Sequence, residues 1–408
     1  MRMSKKTVLP KLRFPEFRDS GEWSYNEIGS IGVVVTGKTP DTEDESLWNG
    51  DIQFVTPTDI SESKYQYVTQ RSVVNKTNIK VLPKNSILFT CIASVGKMAI
   101  TVHPCITNQQ INALIPHNSY SNEYIYYALL KKSNVIKSKL ANTTLPIINK
   151  TEFSKFTLGI PKDHKEQQKI VDCLSSLDDL ITAEDKKLAL LKTHKKGLMQ
   201  KLFPAEGETV PQVRFKGYTD DWELRRLDDV AEFNPKSILP DVFEYVDLES
   251  VVGTEMISHR TENRENAPSR AQRLAQTGDV FFQTVRPYQQ NNHYFNLPYD
   301  NFVFSTGYAQ LRPHVDGYFL LSRLQEKKFV ENVLDKSTGT SYPAISSSDL
   351  AKIAISIPVD EREQTAIGNF FRNLDEIITI QTEKIEVIKL HKKGLMQGLF
   401  PSVQEVFR

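Results

Sequence analysis

The chain contains a tandem repeat with an offset of 197 residues. Residues 194–204 (HKKGLMQKLFP) return at 391–401 (HKKGLMQGLFP), with ten of eleven positions identical. At the same offset, ten of 23 positions are identical between residues 160–182 and 357–379. Repetition at a fixed period decides the architecture, because each copy is expected to form the same structural unit. The sequence therefore predicts two equivalent halves, each a variable segment followed by a matched segment.

Each matched segment is predicted to form one long helix. Asp163 and Asp360 are N-cap candidates, and Glu166 and Glu363, three residues later, complete the pattern of a capping box. Apolar residues follow at alternating spacings of four and three, which is the heptad pattern of a coiled coil. These seam residues are Ile170, Leu174, Leu177, Ile181, Leu188 and Leu191 in the first copy and Ile367, Phe371, Leu374, Ile378, Ile385 and Ile388 in the second.

A helix of about 40 residues extends for roughly 60 Å, which is too long to pack on one small domain alone. We therefore expect the two helices to pack against each other as a coiled coil. Polar residues interrupt both seams at equivalent places, at Glu184 and Gln381 and again at Lys195 and Lys392. Such polar positions help to fix the register of a coiled coil.

The variable segments are predicted to be mixed α/β domains. Strands are expected at residues 28–36, 52–55, 86–91, 98–102, 280–285 and 302–304, and helices at 121–132 and 318–334. The predicted domains are a first mixed α/β domain at 1–161, a spacer helix at 162–204, a second mixed α/β domain at 205–358 and a second spacer helix at 359–401.

The net charge of +1 hides a difference between the two halves. Residues 1–204 hold 28 Lys and Arg against 20 Asp and Glu, a balance of +8, whereas residues 205–408 hold 23 against 30, a balance of −7. A phosphate-binding surface must therefore be local or be supplied partly by a partner. No apolar run approaches the ~20 residues that span a bilayer, which predicts a cytoplasmic protein with no membrane partner. The three cysteines, Cys91, Cys105 and Cys173, lack CxxC spacing and are predicted to be core residues.

One segment, residues 32–39 (GVVVTGKT), matches the phosphate-loop pattern GxxxxGK[ST]. Its three valines predict a strand, and Pro40 with the acidic residues after it gives a poor start for the helix that a phosphate loop requires. We therefore predict that this segment binds no nucleotide. GxGxxG, HExxH and GxSxG motifs are absent from the sequence, and the histidines show no metal-ligand spacing, so no catalytic or metal site is predicted.

Polar clusters occur in predicted loops of both halves. One such cluster alone suits a solvated turn, but recurrence in both halves favours a DNA-reading role. Gln, Asn and Arg read base edges, whereas Lys, Ser and Thr position the protein on phosphates. The candidates in the first half are Lys38, Thr39, Ser94, Lys97, Asn108, Gln109, Gln110 and Asn142. Those in the second half are Arg286, Tyr288, Gln289, Gln290, Asn291, Thr306, Ser341 and Tyr342.

The arrangement resembles the DNA-specificity subunits of type I restriction-modification systems over nearly the whole chain. Each helix opens in Ile-Pro-x-Asp-x-[Lys/Arg]-Glu-Gln and closes in Lys-Lys-Gly-Leu-Met-Gln-x-Leu-Phe-Pro. Residues 37–40 (GKTP), 48–52 (WNGDI) and 56–60 (TPTDI) are similar to further elements of that family. The second domain lacks a clear Gly-x-Thr-Pro element, so DNA-contact positions are not carried over from the first domain there.

The resemblance implies an α+β fold in which two target-recognition domains are separated by two long antiparallel helices in a pseudo-two-fold arrangement. It implies a non-catalytic subunit that reads a bipartite target in double-stranded DNA, each domain reading one half. The helices would set the gap and dock two methyltransferase (M) subunits and, through them, restriction (R) subunits. This chain would bind no cofactor, since S-adenosylmethionine, ATP and Mg²⁺ are expected on the partner subunits.

Two alternatives come from other classes of protein. The first is a coiled-coil interaction adaptor with no DNA specificity, because a coiled coil with globular ends also suits protein binding. The second is an enzyme built on residues 32–39, which would bind nucleotide and would lose function on Lys38→Ala. Salt-dependent DNA binding that needs a methyltransferase partner would favour the specificity subunit over both.

Overall fold

A computed structural model describes residues 9–75, 78–140, 147–339 and 341–401. The chain divides into two compact units: unit 1 comprises Met1–Glu184 and Ile385–Arg408, and unit 2 comprises Asp185–Lys384. Each unit is therefore built from its own variable segment, the first part of the helix that follows it, and the last part of the other long helix. In the described residues, no helix has the length and apolar character needed to span a membrane.

Unit 1 contains a five-stranded sheet in the order β2-β9-β6-β7-β4 and a three-stranded sheet in the order β5-β3-β8, while β1 and β10 form a separate antiparallel pair. Its strands are β1 (Ser24–Glu27), β2 (Gly32–Thr36), β3 (Trp48–Val55), β4 (Tyr65–Gln66), β5 (Arg71–Val73), β6 (Ile87–Thr90), β7 (Met98–Thr101), β8 (Cys105–Thr107), β9 (Ile111–Pro116) and β10 (Thr157–Ile160). Its helices are α1 (Ile28–Ile31), α2 (Asn122–Leu140), α3 (Lys150–Ser154) and the first part of α4 (His164–Leu202).

Unit 2 contains two four-stranded sheets, in the orders β12-β21-β18-β19 and β16-β13-β20-β17, and the antiparallel pairs β11-β22 and β14-β15. Its strands are β11 (Glu223–Arg226), β12 (Ala231–Phe233), β13 (Val242–Val246), β14 (Val251–Val252), β15 (Glu255–Met256), β16 (Arg260–Asn263), β17 (Ala271–Leu274), β18 (Val280–Gln283), β19 (His293–Tyr294), β20 (Phe302–Ser305), β21 (Tyr308–Pro313) and β22 (Ala354–Ile357). Its helices are α5 (Leu227–Val230), α6 (Gly317–Leu324), α7 (Lys327–Asp335), α8 (Ser347–Ala351) and the first part of α9 (Glu361–Leu399).

The predicted fold class is confirmed, because each unit is mixed α/β and each repeat ends in a helix of 39 residues. The two units also repeat the same opening, in which a four-residue strand is followed by a four-residue helix and a second strand. In both units the opening strand pairs antiparallel with the strand that precedes the long helix. The repeat therefore extends in structure into segments whose sequences match little.

Helices α4 and α9 meet in an antiparallel sense within each unit. In unit 1, Lys392 near the end of α9 forms an ion pair with Asp178 in the first half of α4. In unit 2, Lys195 near the end of α4 forms the equivalent pair with Asp375 in the first half of α9. The seam lysines that interrupt the heptad are thus paired with carboxylates of the opposite helix.

The first seam residues of each helix are part of a unit's core. Ile170 and Leu174 lie in the core of unit 1 together with Met396 and Leu399 of α9. Similarly, Ile367 and Phe371 lie in the core of unit 2 with residues from the end of α4. Of the remaining seam positions, Leu374 and Ile385 are buried, and those that are half-buried are Leu177, Ile181, Leu188, Leu191, Ile378 and Ile388.

The capping-box prediction is half wrong. Asp163 caps α4, since its carboxylate accepts a hydrogen bond from the Lys165 N–H at 2.8 Å. Glu166 does not reach back to the cap, because its carboxylate is buried and accepts two hydrogen bonds from the Arg13 guanidinium at 2.6 and 2.8 Å. Asp360 and Glu363 behave in the same way, and the partner of Glu363 is an arginine from the opening of the second half.

Three predicted elements differ from the structure. The strand predicted at 28–36 begins with a helical turn, since Ile28 and Ile31 are both fully buried at a spacing of three. The helix predicted at 318–334 is two helices, interrupted at residues 325–326 where Glu326 takes an extended conformation. The helix predicted at 121–132 continues to Leu140.

Candidate functional site

Three polar loops of unit 1 meet at one end of the five-stranded sheet. Strand β9 lies between β2 and β6, and its first residues pair with the last residues of both neighbours, as in Thr36 opposite Asn112 and Thr90 opposite Ile111. The loops at 37–39, 91–97 and 107–110 therefore begin or end at the same edge. The structure thus brings together the predicted site residues Lys38, Thr39, Ser94, Lys97, Asn108, Gln109 and Gln110, whereas Asn142 lies outside the described residues.

Hydrogen bonds between these loops fix their positions. The Thr39 hydroxyl donates to Gln109 Oε1 at 2.8 Å, and Asn108 Nδ2 donates to Gln110 Oε1 at 3.0 Å. The backbone N–H of Cys91 donates to the Gln110 carbonyl at 2.8 Å, which attaches the 91–97 loop to the 107–110 loop. Interlocked side chains of this kind hold a recognition surface in one geometry before a ligand arrives.

The absence of a side chain at Gly37 allows the 37–39 loop to pack directly against the 107–110 loop. A Cβ atom at this position would lie 2.1 Å from the Asn108 carbonyl oxygen and 2.2 Å from Thr107 Oγ1. The Gly37 N–H donates to the Ile111 carbonyl at 3.0 Å, so its backbone continues the sheet while the side-chain position stays empty. The glycine of the GKTP segment is therefore required by packing against the neighbouring loop.

The segment 32–39 lacks the geometry of a phosphate loop, as predicted. Residues Gly32–Thr36 form β2, and no helix begins at Lys38. The side chain of Thr39, which would contact a metal ion in a phosphate loop, is bonded to Gln109. In the described part of the chain, no group of three or more His, Cys, Asp and Glu side chains is arranged to hold a metal ion.

In unit 2, an equivalent set of loops gathers at the end of β18. The Thr284 N–H and hydroxyl both donate to the Gly307 carbonyl, at 2.9 and 2.8 Å, and the Ile345 N–H donates to the Thr284 carbonyl at 3.0 Å. These bonds join the loop after β18 to the loop before β21 and to the segment before α8. They bring together the predicted residues Arg286, Tyr288, Gln289, Gln290, Asn291, Thr306, Ser341 and Tyr342.

Arg286, which is half-buried, and Tyr342, which is exposed, are in contact in these loops. The Arg286 guanidinium lies 4.4 Å from the centroid of the Tyr342 ring, a cation–π contact, and the ring itself is exposed. Arg286 has a φ of +55°, a left-handed conformation that is costly for a side chain other than glycine. Its Nε atom is buried and has no hydrogen-bond acceptor among the described residues. The loop thus holds Arg286 in a strained backbone conformation, and the Nε–H donor of its side chain is not used by the described residues.

The amide side chains of Gln289, Gln290 and Asn291 differ in the hydrogen bonds that they form within the protein. Gln289 is exposed, its Oε1 accepts from Gln283 Nε2 at 2.8 Å, and among the described residues its NH₂ group donates no hydrogen bond. Gln290 is half-buried, and it exchanges hydrogen bonds with Gln325 at 3.4 and 3.1 Å. Asn291 Oδ1 accepts from the Gly253 N–H at 2.9 Å. Gln289 is therefore the amide most available to a ligand.

Sequence reasoning missed residues that come from α2. Lys137 on this helix lines a cleft of about 460 Å³ beside Lys97, together with Lys64 and Lys392. A lysine in a helix rich in Lys and Ser gives no signal of its own, because solvent-exposed helix faces carry the same residues. Only the fold shows that it faces the loop of predicted site residues.

A family model described as "Type I restriction modification DNA specificity domain" matches the chain twice, at residues 20–193 and 219–390. Among curated proteins, the MjaVIII specificity subunit of Methanocaldococcus jannaschii is 24% identical over 95% of this chain and 93% of its own length. The MjaIX specificity subunit of the same organism is 30% identical over an alignment that covers 54% of this chain and 54% of that protein, about half of each. The EcoR124I/EcoR124II specificity subunit of Escherichia coli is 30% identical over 42% of this chain and 46% of its own.

Two solved structures share the fold. The type I restriction-modification S subunit of M. genitalium superposes with a TM-score of 0.61 over 97% of this chain and 100% of its own, at 16% identity. A chain from a structural study of complex assembly in the type I R-M system gives a TM-score of 0.57 over 94% of this chain and 98% of its own, also at 16% identity. These likenesses cover both units and both long helices.

Proposed function

This chain belongs to the type I restriction-modification DNA specificity family, and we propose that it reads a bipartite target in double-stranded DNA. Each unit recognises one half of the target with the loops at the end of its sheet. The observation that carries this proposal is the repeated gathering of Gln, Asn, Arg, Lys and Tyr side chains at that end in both units. The family assignment gives no support to the alternative of a coiled-coil adaptor without DNA specificity.

The exposed side chains divide by chemistry into two roles. Gln109 and Gln289 are exposed amides of the type that pairs with adenine in the major groove, and Arg286 carries the planar donor fork that pairs with guanine. Lys38 and Lys97 are exposed ammonium groups that suit phosphate contacts. The interlocked loops supply the rigidity that base discrimination requires, since a wrong base must then leave donors or acceptors unpaired.

The outer faces of the long helices are proposed to dock two methyltransferase (M) subunits. Exposed apolar side chains lie at Leu180 and Leu190 on α4 and recur at the repeat offset at Ile377 and Val387 on α9. Single exposed apolar residues are ordinary on a protein surface, so it is their recurrence at the same repeat positions of both helices that favours a docking surface. Because the two sets are equivalent by the repeat, each would bind a copy of the same partner.

In this proposal the chain itself catalyses no reaction. S-adenosylmethionine would be bound by the M subunits, and ATP and Mg²⁺ by restriction (R) subunits that join through them. The charge balance of the chain fits a shared DNA clamp, since the acidic second half needs positive charge from a partner to hold phosphates. The long helices would set the length of the unspecified gap between the two half-sites.

Single-molecule sequencing of methylated adenines tests the proposal. The chain is expressed with its methyltransferase partner in a host that lacks other adenine methylation. We expect methylation at one split motif, with two specified halves and a fixed gap. An adaptor without DNA specificity would leave the methylated positions unchanged when this chain is omitted, and that result would overturn the proposal.

A further inference from the structure

The cleft of about 460 Å³ in unit 1 opens beside the reading loops and is lined by four lysines. One wall comes from the loop at 91–97, which contributes Gly96 and Lys97. A second wall is helix α2, which contributes Lys137. The remaining lysines are Lys64, which precedes β4, and Lys392 of α9.

Gly96 fixes the loop against helix α2. Its carbonyl accepts a hydrogen bond from the buried Ser133 hydroxyl at 2.7 Å, and its φ is +89°, a conformation that favours glycine. A Cβ atom here would lie 2.4 Å from Ser133 Oγ and 2.9 Å from Lys137 Cε. The alkyl chain of Lys137 therefore packs directly on the glycine that precedes Lys97, and both lysines extend from the same point of contact.

The other two lysines of the cleft are already neutralised. Lys64 Nζ lies 2.9 Å from Glu123 Oε1 and donates to Ser175 Oγ at 2.9 Å. Lys392 forms its ion pair with Asp178. The positive charges of Lys64 and Lys392 are therefore balanced by carboxylates of unit 1, and neither lysine is a strong candidate for binding an anionic ligand.

Lys97 and Lys137 have no such partners in the part of the chain that the structure describes. Among the described residues, no carboxylate lies within 4.0 Å of either ammonium group, and the carboxylate of Glu62 on the cleft wall forms no ion pair either. Burial, and then the charge of Lys97, lowers the pKa of Lys137, so the two ammonium groups repel each other. Two adjacent unpaired cations next to polar reading loops form a site for an anion.

We propose that Lys97 and Lys137 together hold a phosphate of the DNA backbone at the edge of the half-site read by unit 1. This phosphate clamp rests on the proposed function, since it takes its ligand from the DNA that the neighbouring loops read. The clamp positions the duplex without reading sequence, because a phosphate is the same at every base pair. Gln109 then meets the bases from a fixed register.

The lysines beside the reading loop of unit 2 are arranged differently. Lys327 and Lys328 line the cleft of about 990 Å³ that also contains Gln289 and Gln290. Lys327 pairs with Glu331, and Lys328 pairs with Glu206 at 2.7 Å. Unlike Lys97 and Lys137, these two lysines each lie beside a carboxylate of the same chain, and they serve as controls for the clamp.

The test uses the complex with the methyltransferase subunits and measures the salt dependence of DNA binding. The probes are a duplex with the methylated motif identified by sequencing and a scrambled duplex of equal length. Each phosphate contact contributes about 0.9 to the slope of log K against log salt on B-form DNA. We expect Lys137→Gln and Lys97→Gln each to flatten the slope by up to about 0.9, equally on both duplexes, with the methylated motif unchanged. Lys137→Arg keeps the positive charge and should give the wild-type slope, and Lys327→Gln should also leave the slope at the wild-type value.

Three outcomes separate the clamp from its alternatives. An unchanged slope in Lys97→Gln/Lys137→Gln would show that the pair holds no phosphate. Loss confined to the methylated motif would show that these lysines read bases, which also overturns the clamp. If the wild-type complex itself prefers no duplex and methylates no split motif, the proposed function fails independently of the clamp.

Discussion

Lys195 and Asp375 lie 180 residues apart in the chain and form an ion pair in unit 2, with Nζ–Oδ distances of 2.6 and 2.8 Å. The Tyr318 hydroxyl donates to the same carboxylate at 2.8 Å. The arrangement recurs in unit 1, where Lys392 and Tyr127 both donate to Asp178. The lysine that interrupts each heptad seam therefore forms a cross-helix polar contact that fixes the register of α4 and α9 in its unit.

Replacing Asp375 by Ala should destabilise unit 2 by about 1–3 kcal/mol. The pair is half-buried, so its loss should cost more than an exposed pair and less than a fully buried one. Urea unfolding measures the change, and Lys195→Met combined with Asp375→Ala should cost less than the sum of the single changes. Lys352→Ala, which removes an exposed pair with Asp349, is the control and should cost under about 1 kcal/mol. Equal losses of unfolding free energy for Asp375→Ala and Lys352→Ala would show that the Lys195–Asp375 pair contributes no more than an exposed ion pair.

Replacing Arg13 by Met should be more damaging, with an expected loss of about 3–5 kcal/mol. Glu166 is only 1% exposed, and without Arg13 it would keep a buried charge whose remaining contact is the Trp23 indole N–H at 3.2 Å. Arg13→Lys should recover only part of the loss, because lysine cannot form the bidentate contact. Thermal unfolding of unit 1 measures both variants. Arg214→Met should have the same effect on unit 2, where Glu363 is the partner.

Replacing Gln289 by Ala should relax recognition of one half-site by about 1–3 kcal/mol, the usual value of a bidentate base contact. Replacing Gln290 by Ala should act differently, because its amide donates to the Gln325 backbone and supports the loop. We expect Gln289→Ala to keep its melting temperature and to broaden the methylated motif. Gln290→Ala should lower the melting temperature of unit 2. Equal loss of affinity on target and random DNA in Gln289→Ala would mean that Gln289 contacts only the backbone.

The features that the sequence predicted are those with a local or periodic signal. The helices at α4 and α9 follow from the spacing of residues such as Ile170 and Leu174, and the position of the polar loops at the sheet ends follows from polar clusters that border predicted strands. Glu166 was misassigned because its partner, Arg13, lies 153 residues away, and an Asp-x-x-Glu pattern looks the same whether the Glu bonds to the cap or to a distant arginine. Lys137 was missed for the same reason, since its importance comes from packing on Gly96.

The buried cysteines should resist alkylation in the folded protein. Burial raises the pKa of Cys91 to about 11 and that of Cys105 to about 12, so neither thiol is ionised at pH 8.5. Iodoacetamide should modify Cys173 first, because this residue is only half-buried on α4, and mass spectrometry of digested protein gives the order.

The unfolded chain ionises its thiols near pH 9, so the contribution of Cys105 to stability should fall as pH rises from 9 to about 12. Modification of Cys105 before unfolding would contradict the assigned burial.

Lengthening both long helices by one heptad should change only the gap of the methylated motif. Seven residues add about 10 Å of helix, which corresponds to roughly three base pairs at ~3.4 Å each. The insertions belong between Leu180 and Leu188 in α4 and between Ile377 and Ile385 in α9, away from the ion pairs at Asp178 and Asp375, and a whole heptad keeps the seam in register.

Sequencing of methylated adenines then compares the two half-sites and the spacing between them. Both half-sites should be retained, because the reading loops of each unit are untouched, while the gap should grow. A two-residue insertion is the control: at about 100° per residue it turns the downstream seam residues by about 200°, away from their partners, and should destabilise the complex instead of yielding a new gap. A heptad variant that methylates the original motif with unaltered spacing would show that α4 and α9 do not set the distance between the half-sites.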